Sequence, residues 1–247
     1  MKLINKKMLK PLATSIYKSV VSIKQIFVEM RRYSYRMERE SVISRYLQSN
    51  SCKKLQIGGG GNPLKGWLNT DILPNHKDVI FLDAREELPF ESDSLDYIFC
   101  EHMIEHISYH DGLIMLSECF RVLKKNGKIR IATPNLKVFL DLFSEKKSDD
   151  QNQYMEWILK NWLNRQGINE KNPVFNLNLV MHAWGHEFIY DDKTLMELLT
   201  KANFRDFLIH KSGESDDLNL KELESHGEFI GNVAMNKFET LVIEAIK

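Results

Sequence analysis

Short apolar runs recur between residues 52 and 133, and each is followed by a turn-forming or acidic residue. Lys54-Leu-Gln-Ile57 enters four consecutive glycines, Gly58 to Gly61. Asp78-Val-Ile-Phe-Leu82 ends in Asp83-Ala84. Ser94-Leu-Asp-Tyr-Ile-Phe-Cys100 ends in Glu101-His102. Lys128-Ile-Arg-Ile-Ala-Thr133 is closed by Pro134. Runs of this length bounded by turn residues predict buried strands. His110 to Leu123 carries the clearest helical spacing of the middle region, and Phe120 to Gly127 is expected to be a helix end with a glycine stop. Thr194 to Ala202 predicts another helix, between the cap region described below and the last two strands, Phe204–Ile209 and Glu239–Glu244. Strands alternating with helical patterns predict a doubly wound α/β fold.

Two regions stand outside that alternation. In residues 9–32, Leu9, Leu12, Ile16, Val20, Ile23, Phe27 and Met30 step by three and four and make one helical stripe; a second helix is expected from about Glu38 to Gln48. This extension, residues 1–50, either covers the sheet or a partner subunit, or lies as a basic amphipathic helix on an anionic membrane surface. Residues 135–193 are rich in Asn, Trp, Tyr and Met and show no strand pattern. An insertion there falls above the carboxyl edge of the sheet, where ligands bind. It is expected to cap the substrate within a domain running from 51 to 247. Ser212–Asp217 is expected to be a polar, flexible loop.

Composition narrows the function. The chain has 247 residues and no net charge, long enough for one domain with a sizeable core. Zero net charge argues against a dedicated nucleic-acid partner. The charge is uneven: residues 1–37 hold Lys2, Lys6, Lys7, Lys10, Lys18, Lys24, Arg31, Arg32 and Arg36 against Glu29 alone. Cys52, Cys100 and Cys119 show no metal spacing and suit reduced thiols in a cytoplasmic protein. No apolar run approaches the roughly 20 residues of a membrane span. No signal-peptide cleavage site follows the basic start. A cytoplasmic location is expected, with peripheral contact at the inner membrane face as the alternative use of the basic extension.

The glycine loop carries the chemistry. Glycine allows a sharp turn and close approach of a ligand to the backbone. Asp71, about a dozen residues on, stands where an acid can hold the two hydroxyls of a ribose. A phosphate-cradling loop needs Gly-Lys-Ser/Thr at its end, whereas this one reads Gly61-Asn62-Pro63-Leu64-Lys65-Gly66. A dinucleotide fingerprint needs a third glycine where Pro63 stands. A nucleoside without phosphate, S-adenosylmethionine, meets neither difficulty. The crossover from Gly58 to the strand holding Asp71 is too short for the usual helix, so a loop crossover is expected.

With the ordered set of loop, Asp71, Asp83, Leu95-Asp96-Tyr97 and Glu105-His106, the chain resembles class I S-adenosylmethionine-dependent methyltransferases of the type 11 kind. It is similar, more narrowly, to a bacterial group with a Gly-Asn-Pro-Leu-x-Gly-Trp loop and a late Trp-Gly-His-x-Phe-x-Tyr-Asp motif, here Trp184 to Asp191. The resemblance covers residues 52–247. It implies a Rossmann-like, mostly parallel seven-stranded sheet and S-adenosylmethionine as cofactor. By position it implies Gly58 and Gly60 against the methionine part, and Asp71 with neighbouring Ile72 at the ribose. Asp83 and the Ala84 backbone would lie at the adenine, and Glu101 and His102 near the methyl. Where the family often has an acid, this chain has Gln56. The acceptor it implies is an oxygen or nitrogen of a small molecule or of a cell-surface glycan precursor.

Several residues keep two readings. His106 either packs as an anchor or faces the substrate. His186 is a general base or a structural tie through Tyr190 or Asp191, and His182 is structural. His102-Met-Ile-Glu-His106 matches the His-x-x-Glu-His zinc pattern, which would put two imidazoles on one helical face and suggest a hydrolase. No metal is expected on the cofactor reading. Asp71 could be a turn residue before Pro74. Lys124, Lys125, Lys128 and Arg130 are expected to form a solvated face, and Tyr154, Trp157 and Trp162 to pack one helix face. A non-catalytic cofactor-binding scaffold is the alternative to an enzyme.

Overall fold

The computed structural model describes residues 30, 33, 34 and 36–247. The predicted stripe over 9–32 lies, apart from Met30, outside the described residues. The chain divides into two units, Met1–Arg45 and Tyr46–Lys247. Residues 36–49 are helical (α1), in agreement with the second predicted helix. No helix among the described residues is long and apolar enough to cross a membrane.

The second unit is built on a seven-stranded sheet of order β3-β2-β1-β4-β5-β7-β6. Its strands are β1 (Lys54–Ile57), β2 (Leu68–Asp71), β3 (Val79–Phe81), β4 (Leu95–Glu101), β5 (Leu123–Pro134), β6 (Arg205–His210) and β7 (Thr240–Ile246). The first five pair in parallel, and β7 runs antiparallel to both β5 and β6. This is a Rossmann-like, mostly parallel sheet. Central strands bury both faces, which is why Leu55, Ile57, Ile98, Phe99, Ile129 and Ile131 read as nearly unbroken apolar runs. The strand order reverses between β1 and β4, so a crevice opens beyond their carboxyl ends.

Helix α2 (Tyr109–Val122) starts at Ser108, whose hydroxyl accepts the Asp111 N–H, and buries Gly112, Met115, Leu116, Cys119 and Val122. That spacing of three and four makes a single apolar stripe. A Cβ on Gly112 would meet the Tyr190 hydroxyl oxygen at 2.9 Å, so glycine is required where the two segments touch. Helix α6 (Asp192–Lys201) is capped by Asp191, which accepts the Thr194 N–H. Residues 135–193 form α3 (Leu136–Asp141), α4 (Asp149–Ile158) continued by a π turn, and α5 (Pro173–His182), with a bridge pairing Asn135 and Tyr190. Their core is Phe139, Leu142, Tyr154, Met155, Ile158, Leu163 and Val180, and Met235 from a later helix joins it. Tyr154 is buried in this cluster, with Trp157 and Trp162 partly buried against it. Before β7 come α7 (His226–Phe229) and α8 (Val233–Glu239).

Three expectations are corrected. Gly127 stops no helix: α2 ends at Val122 and β5 begins at Leu123. A Cβ at Gly127 would lie 2.8 Å from the Lys124 carbonyl oxygen and 3.1 Å from that of Asp96, so close backbone approach demands the glycine. Arg130 is no surface charge. It is fully buried, donating from Nε to Glu224 at 2.7 Å and from Nη1 to Glu244 at 2.6 Å and to the Glu214 carbonyl at 2.9 Å. Of its neighbours, Lys124 pairs with Asp96 and Lys128 with Asp217. The 212–217 loop is accordingly tied down, through Arg130, Lys128 and a Gly213 N–H donated to Glu224 at 2.9 Å. The three cysteines are free thiols.

Candidate active site

The β1–β2 connection is a loop, as its length requires. Gly59 N–H donates to the Thr70 carbonyl, the Thr70 hydroxyl to the Gln56 carbonyl, and Asn69 exchanges two bonds with the backbone of Leu64. Gln56, buried in β1, reaches Asn62 and Leu64 and so braces the loop from beneath. Gly58 and Gly60 have φ of 74° and 52°, the left-handed region that favours glycine. They differ in surroundings. A Cβ on Gly58 would collide with the Met103 side chain, while one on Gly60 would meet nothing within 4 Å and enter open space.

That space is a cavity of about 440 Å³ at the switch point. All eight residues expected at the cofactor line it: Gly58, Gly60, Asp71, Ile72, Asp83, Ala84, Glu101 and His102. Asp71 accepts the Gly60 N–H at 2.9 Å and the Leu73 N–H at 2.8 Å, so it shapes the loop whose ligand it would share. Asp83 is forked by Arg85, with Nε to Oδ1 at 2.9 Å and Nη2 to Oδ2 at 2.7 Å. Its Oδ1 also accepts the Arg85 backbone N–H at 3.1 Å.

Glu101 and His102 close the end of β4. Glu101 accepts the backbone N–H groups of Ser225 and His226, each at 3.0 Å, and burial raises its carboxyl above the ordinary range in spite of those bonds. His102 sits at φ 44°. Its Nδ1 lies 3.1 Å from Glu105 and its Nε2 3.0 Å from the Asn236 side-chain amide. Burial alone would lower the His102 pKa, but the bond and charge of Glu105 outweigh it and the net direction is up. Glu105 moves the opposite way: burial opposes the shift, and His102 brings its carboxyl below the ordinary value. Glu105 also accepts from the Thr133 hydroxyl at 3.0 Å.

A second cavity of about 230 Å³ adjoins the first and shares His102, His106, His226 and Phe229 with it. The inserted segment supplies much of its remaining wall, through Tyr154, Trp157, Trp162, Trp184 and His186. His106 therefore faces both cavities, and its ring meets that of His186 edge-on at 4.8 Å between centroids. His186 lies 2.6 Å, through Nδ1, from the Val180 carbonyl, so its tie runs to α5 and not through Tyr190 or Asp191. Burial lowers its pKa. His182 lines neither cavity.

The His-x-x-Glu-His spacing does not produce the geometry a zinc protease needs. Only Ile104–His106 forms a short 3-10 turn, so the two imidazoles do not share a helical face: His102 points to Asn236 and stacks on His226 at 4.1 Å, whereas His106 meets His186.

Sequence reading missed four contributors: Met103 over Gly58, Arg85 on Asp83, and His226 and Phe229 at the join of the cavities. The last two stand in a stretch without periodicity; the Glu101 bonds to the start of α7 and the stacking of His226 on His102 hold that segment at the end of β4. Burial pushes the His226 pKa down to about 4, so its ring is neutral at pH 7.

Fold and site together define an α/β protein with a nucleoside-sized cavity at the switch point and a second, aromatic-walled cavity beside it. Residues 69–131 match the family described as "Methyltransferase domain". No curated protein matches the chain. Similar solved structures include an S-adenosylmethionine-dependent methyltransferase from Archaeoglobus fulgidus, 20% identical, with 86% of this chain and 94% of that one covered and a TM-score of 0.44. Another, from Mesorhizobium loti, is 10% identical over 79% of this chain and 90% of that one, with a TM-score of 0.46.

Proposed function

We propose that the protein is an S-adenosylmethionine-dependent methyltransferase whose acceptor enters through the second cavity. The observation that carries this reading is the pair of adjoining cavities. One is ringed by the glycine loop, Asp71 and Asp83 at successive strand ends; the other is walled by the 135–193 insertion; His102, His106, His226 and Phe229 lie on both. The family match over 69–131, which begins in β2 and ends in β5, supports it.

The cofactor would supply an electrophilic methyl on sulfur. Gly60 offers open approach, Asp71 two carboxylate oxygens for ribose hydroxyls, and the Asp83–Ala84 segment lines the adenine end. An acceptor oxygen or nitrogen held in the second cavity would take that methyl in line as its bond to sulfur breaks, with S-adenosylhomocysteine as the leaving group. Holding the two reactants in line supplies a large part of the rate. His106 and His186 stand where they can handle the proton the acceptor loses. The acceptor is a small molecule or a glycan precursor, and its aromatic-walled cavity excludes water from the reaction.

The test is calorimetric titration of the full chain with S-adenosylhomocysteine, followed by incubation of the protein and labelled S-adenosylmethionine with fractionated cell extract. Saturable binding and label in one acceptor fraction are expected. Absence of binding refutes the reading; binding without any transfer favours a non-catalytic scaffold.

A further inference from the structure

We infer that Glu105, His106 and His186 form a binding site for a divalent transition-metal cation on the wall of the second cavity. One donor atom from each residue lies within 4.8 Å of the others, and all three residues line that cavity. Two segments far apart in sequence are held together to make this cluster. The Glu187 and Phe188 N–H groups both donate to the Glu105 carbonyl, at 2.7 and 3.2 Å. Trp184 and Gly185 have φ of 59° and 83°, and this left-handed pair turns the chain so that His186 faces His106.

Each donor is also oriented from behind. The Val180 carbonyl accepts from His186 Nδ1–H, which leaves Nε2 as the lone pair free to ligate. The Glu105 carboxylate is held by Thr133 and His102. Ligating imidazoles almost always donate their other N–H in this way, and ligating carboxylates are themselves hydrogen-bonded. Two imidazoles and one carboxylate favour zinc, cobalt, manganese or iron over magnesium and calcium, which prefer oxygen alone. Ligand atoms around such a cation sit about 3.4 Å apart, so donors as far apart as 4.8 Å need to close by up to about 1.4 Å. Three protein ligands leave positions open to the cavity. An acceptor hydroxyl bound there would release its proton to water more easily; with the cation bound, the two imidazoles would promote that loss as ligands and would not themselves accept the proton. This role rests on the methyltransferase reading; the metal site does not.

Chelator-washed full-length protein is titrated separately with Zn²⁺, Co²⁺ and Mn²⁺ by equilibrium dialysis, and S-adenosylhomocysteine binding is measured on the same preparation. One equivalent of at least one cation is expected, with affinity reduced at least tenfold by His186→Ala and by His106→Ala. The Co²⁺ adduct of the parent protein is expected to show ligand-field bands without thiolate charge transfer, a readout that needs no variant to fold. No saturable uptake of any of the three cations, unchanged affinity in both variants, or a thiolate spectrum would overturn the site. Metal uptake without S-adenosylhomocysteine binding would leave the site standing and defeat the proposed activity instead.

Discussion

Replacing Arg130 with methionine tests how the second cavity is held. The guanidinium is fully buried between Glu224 and Glu244, whose side chains are 3% and 5% exposed. Its removal leaves two desolvated carboxylates without the guanidinium, Glu244 keeping His210 at 3.3 Å, and frees the Glu214 carbonyl. Breaking a buried ion pair from one side costs about 3–5 kcal/mol. For a chain of this size each kcal/mol shifts Tm by about 2–4 °C, so the expected fall is roughly 6–20 °C. The damage is directional. Glu224 adjoins Ser225, whose N–H and that of His226 are what Glu101 accepts. Loosening this run therefore moves His226 and Phe229, which lie on both cavities. Thermal and urea unfolding measure the stability, and calorimetry with S-adenosylhomocysteine at a temperature where the variant is folded measures the site. Adding Glu224→Gln and Glu244→Gln to Arg130→Met removes the uncompensated charge and is expected to recover at least half of the lost stability. A cost below about 1 kcal/mol for the single variant, or no recovery in the triple one, would refute the reasoning, since such a pair behaves as if it were solvated.

Further outcomes follow from single sites. Asp71→Asn turns one accepting oxygen into a donor facing a backbone N–H; S-adenosylhomocysteine binding is expected to weaken at least about tenfold, with the far-ultraviolet dichroism unchanged. Gly58→Ala sets a methyl against Met103 at a φ of 74°; both cofactor affinity and Tm are expected to fall, whereas Gly60→Ala, which has the same backbone strain but open space, is expected to affect affinity more than Tm. The pH dependence of stability provides a fourth check. The hydrogen bond from Arg121 holds the Glu118 carboxyl below its ordinary value of 4.5, against the opposing effect of burial. A depressed carboxyl contributes stability that is present above the unfolded value and lost as pH falls through the folded one. Urea unfolding of Glu118→Gln is therefore expected to show a smaller loss than the parent between pH 5 and pH 3, and equal losses would count against the assignment.

The strands and the residues lining the first cavity were legible along the chain because both depend on local order. A run such as Ser94–Cys100 must be buried to be stable, and Asp71 and Asp83 come together because successive parallel strands end on one edge. The loop crossover was legible for the same reason, since ten residues between β1 and β2 leave no room for a capped helix. Long-range partnerships were not. Arg130 looked like one of four surface cations, and only the antiparallel entry of β7 beside β5 places Glu244 opposite it. Gly127 looked like a helix stop, and the approach of the Asp96 carbonyl gives it another purpose. His226 reaches the cavities through Glu101, more than a hundred residues away in sequence, and His186 reaches His106 through a bond to the Glu105 backbone. Periodicity reports which face of an element is buried; which element it is buried against, and which side chains meet there, is decided when the sheet closes and the insertion folds over its edge.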